Sequence, residues 1–230
     1  MQTFRHARLA LLDLIFPPRC AGCGRGGEWF CSHCVASLQR VQPPICERCG
    51  QELQASLICV ECRHHPLPAH LSGLRVVAHH DGPLRKAIHA MKYEQLTATA
   101  EPLGLVLCAY LEARPLPFDV LIPVPLYEER QQERGYNQAA LLAEVIGRRS
   151  SKPVDKGTLV RTRDTVPQVG LDEVERRQNL VDAFACRRRL DGAHVLMVDD
   201  VCTTGTTMSE CATALQRAGA QTVWGLTLAR

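Results

Sequence analysis

Eight of the chain's twelve cysteines fall before residue 63 as four Cys-x-x-Cys pairs: Cys20/Cys23, Cys31/Cys34, Cys46/Cys49 and Cys59/Cys62. Such a turn sets two thiolates on one side of a tight knuckle, and two knuckles complete the tetrahedron that zinc prefers. Seven residues separate Cys23 from Cys31 and nine separate Cys49 from Cys59, intervals that suit short zinc ribbons. Gly22, Gly24 and Gly50 stand where the knuckle backbones must turn sharply. Few large apolar residues lie between Arg19 and His65. Metal binding would therefore have to supply the stability of this segment, on the order of 10–16 kcal/mol per site. Disulfides would require an oxidising compartment, and a redox dithiol needs one such pair rather than a series. Residues 17–66 thus read as a double zinc ribbon holding two structural zinc ions. Consecutive pairing, first with second and third with fourth, is preferred to a cross-brace. His33, His64 and His65 stand by as substitute ligands, and a closed four-thiolate site leaves no position for catalysis.

The 230 residues, 46% hydrophobic and 22% charged, suffice for one sizeable core beside this small module. A net charge of +3 permits an anionic ligand without demanding nucleic acid. No apolar run approaches the ~20 residues of a membrane span. The opening "FRHARLALLDLIFPP" has the look of a signal peptide, but Asp13 interrupts its apolar stretch and Pro17-Pro18 replaces a small-residue cleavage site. Residues 1–16 read instead as an amphipathic helix, from Ala7 to Phe16, and the expected location is cytoplasmic.

After Pro66 the cysteine pairs stop and strands alternate with helices, the pattern of a parallel sheet covered by helices. "LRVVAHH" reads as a strand. "GPLRKAIHAMKY" reads as a helix with Leu84, Ile88 and Met91 on one face and Arg85, Lys86, His89 and Lys92 on a solvated basic side. A second helix is expected from Ala98 to Glu112, with Cys108 in its core. Asp119 to Ile122 reads as a buried strand ended by Pro123 and Pro125, and Asn137 to Gly147 as a helix. Between them lie Arg130, Arg134, Gly135, Tyr136, Asn137 and Gln138. Arginine forks there could meet phosphate oxygens, or pair with Glu128, Glu129 and Glu133 as an ordinary charged helix. A third polar tract carries Arg161, Arg163, Gln168, Arg176, Arg177 and Asn179, and reads as either a lid or a surface hairpin with a helix.

The stretch "VLMVDDVCTTGTT", residues 195–207, ends an apolar run in two acids and follows it with threonines around one glycine. The run fits a strand buried on both faces. Gly205 can adopt a turn closed to other residues, and the threonines can cap a helix running from about Met208 to Ala218. A helix start with free N–H groups and hydroxyls attracts phosphate. The acids would repel it, so they suit sugar hydroxyls or a ligand-bound metal. The string resembles the phosphoribosyl-pyrophosphate (PRPP) loop of type I phosphoribosyltransferases. By that resemblance Asp199 and Asp200 hold the ribose, while Val201, Cys202, Thr203, Thr204, Gly205, Thr206 and Thr207 form the loop that holds the 5′-phosphate.

The tracts "LLDLIFPPRC", the cysteine pairs, "DGPLRKAIHAMKY", "IPVPLYEERQQERGYNQA", "RTRDTVPQVGLDEVERRQN", "VLMVDDVCTTGTT" and "LTLAR" occur in the order expected of the ComF family, which the chain resembles over nearly its whole length. The resemblance implies an N-terminal zinc ribbon joined to a type I phosphoribosyltransferase-like α/β domain over residues 67–230. It implies PRPP with magnesium as ligand, with Arg130, Arg134, Gly135, Asn137 and Gln138 toward the pyrophosphate. Arg161 to Asn179 would include a hood, and Asp199, Asp200 and Arg163 would be the catalytic groups. Two functions follow: a protein of DNA uptake or utilisation with a PRPP-binding pocket, or an enzyme transferring phosphoribose to an unidentified acceptor. The first would touch single-stranded DNA without sequence preference, or DNA-uptake proteins, although aromatics at 5% are sparse for base stacking. A nucleotide-responsive RNA-binding regulator is a third reading.

Overall fold

The computed structural model describes residues 17–64, 67, 70–163 and 182–230. The expected helix at Ala7–Phe16 and the hood residues Gln168, Arg176, Arg177 and Asn179 lie outside the described residues. Within them, the two ribbons carry short helices α1 (Ser32–Ala36) and α2 (Val60–His64). The α/β part then runs β1 (Gly73–Ala78), α3 (Gly82–Tyr93), α4 (Ala100–Ala113), β2 (Val120–Pro123), α5 (Glu128–Arg134), α6 (Gln138–Ser150), β3 (Leu159–Arg161), β4 (Phe184–Cys186), β5 (His194–Val201), α7 (Thr206–Arg217) and β6 (Thr222–Ala229).

Four strands form one sheet in the order β1-β6-β5-β2, all neighbours parallel. β5 shows why the apolar run reads as doubly buried. Leu196 and Val198 join a core with α3, α4 and α6, whereas Val195 and Met197 join a second core with α7. Side chains alternate faces along a strand, so each residue of the run finds a covered surface. β3 and β4 pair antiparallel as a separate two-stranded sheet, and Cys186 of β4 lies against the Ala214 carbonyl of α7.

The ribbons are not held by metal alone. Cys20, Phe30, Cys31, Cys34 and Leu38 belong to the same core as Leu84 and Ile88 of α3. Gly22 shows how close the approach is: a Cβ there would come within 2.7 Å of the Pro83 Cβ. Between the ribbons, Arg40 bridges antiparallel to Ala78, and the Val41 amide donates to the Val77 carbonyl at 3.0 Å. This short segment covers the otherwise open edge of β1, which an unpaired strand edge requires. The scarcity of apolar residues in the ribbon gave no sign of this, because the partner surface lies beyond residue 70.

Candidate functional site

The cysteines gather as the spacing predicts. Cys20, Cys23, Cys31 and Cys34 form one group and Cys46, Cys49, Cys59 and Cys62 the other, with the sulfurs of each group within 4.8 Å of one another. All twelve cysteines are free. Four thiolates at about 2.3 Å from a zinc ion stand about 3.8 Å apart along the edges of the tetrahedron. Cys20 and Cys34 lie 3.6 Å apart, and Cys23/Cys31 and Cys49/Cys59 each 3.7 Å, so the groups fit that ion. The backbone is arranged for thiolates as well. The Cys31 amide donates to the Cys20 sulfur at 3.3 Å and the Cys59 amide to the Cys46 sulfur at 3.4 Å. Burial pushes the Cys20 thiol up, but amides including that of Cys31 outweigh it and leave Cys20 at about 6. The same balance leaves Cys46 at about 7. Among the described residues, His33 and His64 join neither group.

The second site lies at the carboxyl ends of the parallel strands, where open α/β sheets bind ligands. Asp199 and Asp200 are part of β5 rather than beyond it, so strand alternation separates them. Asp200 continues the face of Leu196 and Val198, toward α3. There its carboxylate meets the Lys92 ammonium at 2.7 Å, with the Asp200 side chain 6% and the Lys92 side chain 24% exposed. Burial pushes the Lys92 ammonium down, yet the charge and hydrogen bond of Asp200 outweigh it and hold Lys92 above its usual range. Asp199 continues the other face, and its charge bears on Cys211 of α7. Burial, then the neighbouring Asp200, push the Asp199 carboxyl up to about 7, with Lys92 partly opposing.

Lys92 corrects the sequence reading, which put it on a solvated basic side. It sits on the last turn of α3, next to the strand acid it serves. The signal was weak: a lysine one position from the apolar Met91 in an amphipathic pattern.

The loop from Val201 to Thr207 is a turn into α7. Gly205 is buried with φ +86°, the left-handed region, and forms the N-cap of α7. As N-cap, Gly205 offers no side-chain acceptor. The Thr204 hydroxyl accepts from the Thr206 amide at a long 3.4 Å and bonds the Thr206 hydroxyl at 2.8 Å. A glycine cap supplies no acceptor of its own, so this helix start presents its dipole toward the loop. Cys202 is buried, and burial pushes its thiol up to about 12. It behaves as a small hydrophobe.

The tract after β2 meets the same place. Arg130 and Arg134 lie on α5, and neither forms an ion pair with Glu128, Glu129 or Glu133. Arg134 stacks its guanidinium 5.5 Å over the Tyr93 ring, while the Tyr136 hydroxyl donates to the Met91 carbonyl. Gly135, at φ +81°, ends α5. Asn137 caps α6 by accepting from the Ala139 amide at 2.9 Å and donates to the Val124 carbonyl at 2.9 Å. Gln138 is 2% exposed, and its Oε1 has no partner among the described residues. The last turn of α3 therefore joins the tracts: Met91 to Tyr136, Lys92 to Asp200 and Tyr93 to Arg134. Arg163 is exposed just beyond β3.

Comparison with known proteins agrees with this geometry. The double zinc ribbon domain family matches residues 11–63, and the phosphoribosyl transferase domain family matches residues 146–229. The chain is 37% identical over 205 residues to the DNA utilization protein YhgH of Shigella flexneri, covering 86% of this chain and 88% of that one. The chain belongs to the ComF family. Two further ComF relatives are competence protein F of Haemophilus influenzae, 34% identical with 86% and 89% of the two chains covered, and competence protein ComFC of Bacillus subtilis, 27% identical with 88% and 85% covered. The ComF chain thus combines a double zinc ribbon with a type I phosphoribosyltransferase-like sheet. Among its described residues no helix is long and apolar enough to cross a membrane.

Proposed function

We propose that the chain binds PRPP with magnesium at the carboxyl end of β5 and serves DNA uptake or utilisation, as the names of its relatives suggest. The observation that carries the reading is Gly205. It turns in the left-handed region to start α7 with an N-cap that has no side chain, five residues after a buried acid. An anion cradle and a carboxylate suited to a diol would thereby lie together at the end of β5, as a phosphorylated sugar requires. Thr203 to Thr207 would hold the 5′-phosphate, and Asp199 and Asp200 the ribose hydroxyls. Magnesium, which takes oxygen donors such as carboxylates and ligand phosphates, would supply charge for the pyrophosphate. Arg130 and Arg134 would face the pyrophosphate. Asn137 and Gln138 would support that loop from α6, and Arg163 would belong to the hood. The free thiols and the metal-suited knuckles favour a reducing compartment, hence the cytoplasm.

Thermal unfolding with and without ligand tests the reading. At one hundred times its dissociation constant, a ligand specific for the folded state stabilises by about 2.7 kcal/mol. For a domain of this size that raises Tm by roughly 5–10 °C. PRPP with magnesium should give such a rise, and chelating the magnesium should shrink it. No rise at millimolar PRPP ends the reading. Release of pyrophosphate from PRPP with a panel of nitrogenous acceptors then separates an enzyme from a binding protein.

A further inference from the structure

A second cleft, of about 740 Å³, opens between the first ribbon and α3. Arg19, Arg85 and Lys86 line it, together with His80, Lys92 and Tyr93. Its floor is apolar, with Ala21, Ile88 and Leu96. Arg85, His89 and Tyr93 recur at helical spacing along α3, so they form one exposed ridge.

Three of the cleft's cations have no acidic partner among the described residues. Among the described residues, Arg19, Arg85 and Lys86 make no ion pair, although other surface cations of the chain find acidic partners. The one acid on the lining, Glu94, lies 3.2 Å from the His89 ring. Burial, then the Lys92 charge, disfavour the charged form of His80. Lys92 is neutralised by Asp200 and forms the wall between the cleft and the strand acids. Three cations therefore converge on one concave surface, on the far side of Lys92 from Asp200.

The cleft also has a place for a ring. Tyr93 is 66% exposed, an unusual state for a large aromatic side chain. Its ring lies 4.8 Å from that of His89 and is backed by the Arg134 guanidinium. Aromatic faces flanked by arginine are platforms for nucleobases. The volume falls in the range of small-molecule sites, about 300–1,000 Å³, and exceeds what a bare phosphate fills.

We propose that this cleft is a second ligand site, which takes a nucleotide unit with its phosphate on Arg19, Arg85 and Lys86 and its base against Tyr93. The unit is either a free nucleotide or one link of a single strand, since both present the same phosphate and ring.

The test uses the full zinc-loaded chain without PRPP, with dTMP titrated by calorimetry and a fluorescein-labelled oligothymidylate followed by anisotropy. The charge reversal Arg85→Glu/Lys86→Glu alters two exposed side chains and leaves the core intact. It should weaken binding at least tenfold and leave PRPP affinity unchanged. For the oligothymidylate, one fewer neutralised phosphate should also make the slope of log K against log salt shallower by about 0.7. Tyr93→Leu should weaken binding several-fold with no change in that slope. Binding of dTMP with an affinity like that of the oligomer identifies a free nucleotide, and binding of the oligomer alone identifies a strand. The proposal is overturned if neither probe binds, if the reversal leaves both affinities unchanged, or if PRPP affinity falls in parallel, which would mean one site rather than two. A wild-type chain that binds these probes through Arg85 and Lys86 but ignores PRPP would sink the PRPP reading and leave this one standing.

Discussion

Asp199→Asn should make the protein more stable above neutral pH while weakening its ligand. Burial and the neighbouring Asp200 raise the Asp199 carboxyl from 3.8 to about 7. Between those values the folded chain keeps a proton that the unfolded chain releases. Stability therefore falls as pH rises through this window, and levels off above it. Three pK units at about 1.4 kcal/mol each give a penalty on the order of 4 kcal/mol. Coupling to Asp200 and Lys92 makes a few kcal/mol the fair expectation. Asparagine keeps the shape and carries no charge, so the variant should match the wild type near pH 4 and exceed it by a few kcal/mol at pH 8. Urea denaturation followed by circular dichroism, at several pH values with zinc and reductant present, measures this. A variant less stable than wild type at pH 8, or a difference that ignores pH, would refute the account of a desolvated carboxyl. The same desolvation bears on function: ionised Asp199 is the form that suits a diol and magnesium, so PRPP affinity should rise as pH passes through 7.

Lys92→Met should cost about 3–5 kcal/mol, because it strands the buried Asp200 carboxylate without its partner. Adding Asp200→Asn should recover most of that loss in urea titrations, as a double-mutant cycle would show. Gly205→Ala places a side chain at φ +86°, costs roughly 1–2 kcal/mol, and should reduce PRPP affinity by distorting the start of α7. Calorimetry checks the binding and thermal unfolding checks the cost. Elemental analysis should find two zinc ions per chain. Cys46→Ser should lower that to one, while Cys20→Ser should also loosen the core shared with α3, measured by hydrogen exchange at Leu84 and Ile88.

The cysteine groups were legible because their chemistry is local. Spacing fixes two knuckles, and four thiolates have few other uses. The sheet was legible for a related reason: runs such as Val195–Val198 need cover on both faces, and only helices between parallel strands provide it. Helix α3 was read to the residue, since its apolar residues Leu84, Ile88 and Met91 recur at helical spacing. What escaped was long-range. Lys92 lies 108 positions from Asp200, and nothing near Lys92 announces a buried carboxylate. The packing of the first ribbon on Pro83 and the cover of β1 by Arg40 and Val41 depend on the path of the whole chain. The threonines illustrate competition between local motifs. Thr204 and Thr206 look like caps in sequence, but Gly205 takes the N-cap position, and Thr204 bonds the Thr206 hydroxyl and, at a long 3.4 Å, its amide. Of the expected hood, Gln168 to Asn179 lie outside the described residues.

The central claim is that a phosphorylated sugar sits between the β5 acids and the α7 loop. Calorimetric titration of PRPP with magnesium into wild type and into the Asp199→Asn/Asp200→Asn variant tests it most directly. Asparagine keeps the size of each side chain but is a poorer partner for hydroxyl donors and for bound magnesium. Each charge-assisted hydrogen bond is worth about 1.5–3 kcal/mol, so removing two predicts an affinity at least a hundredfold lower. Circular dichroism should show the fold retained. Unchanged PRPP affinity in the folded double variant would contradict the account.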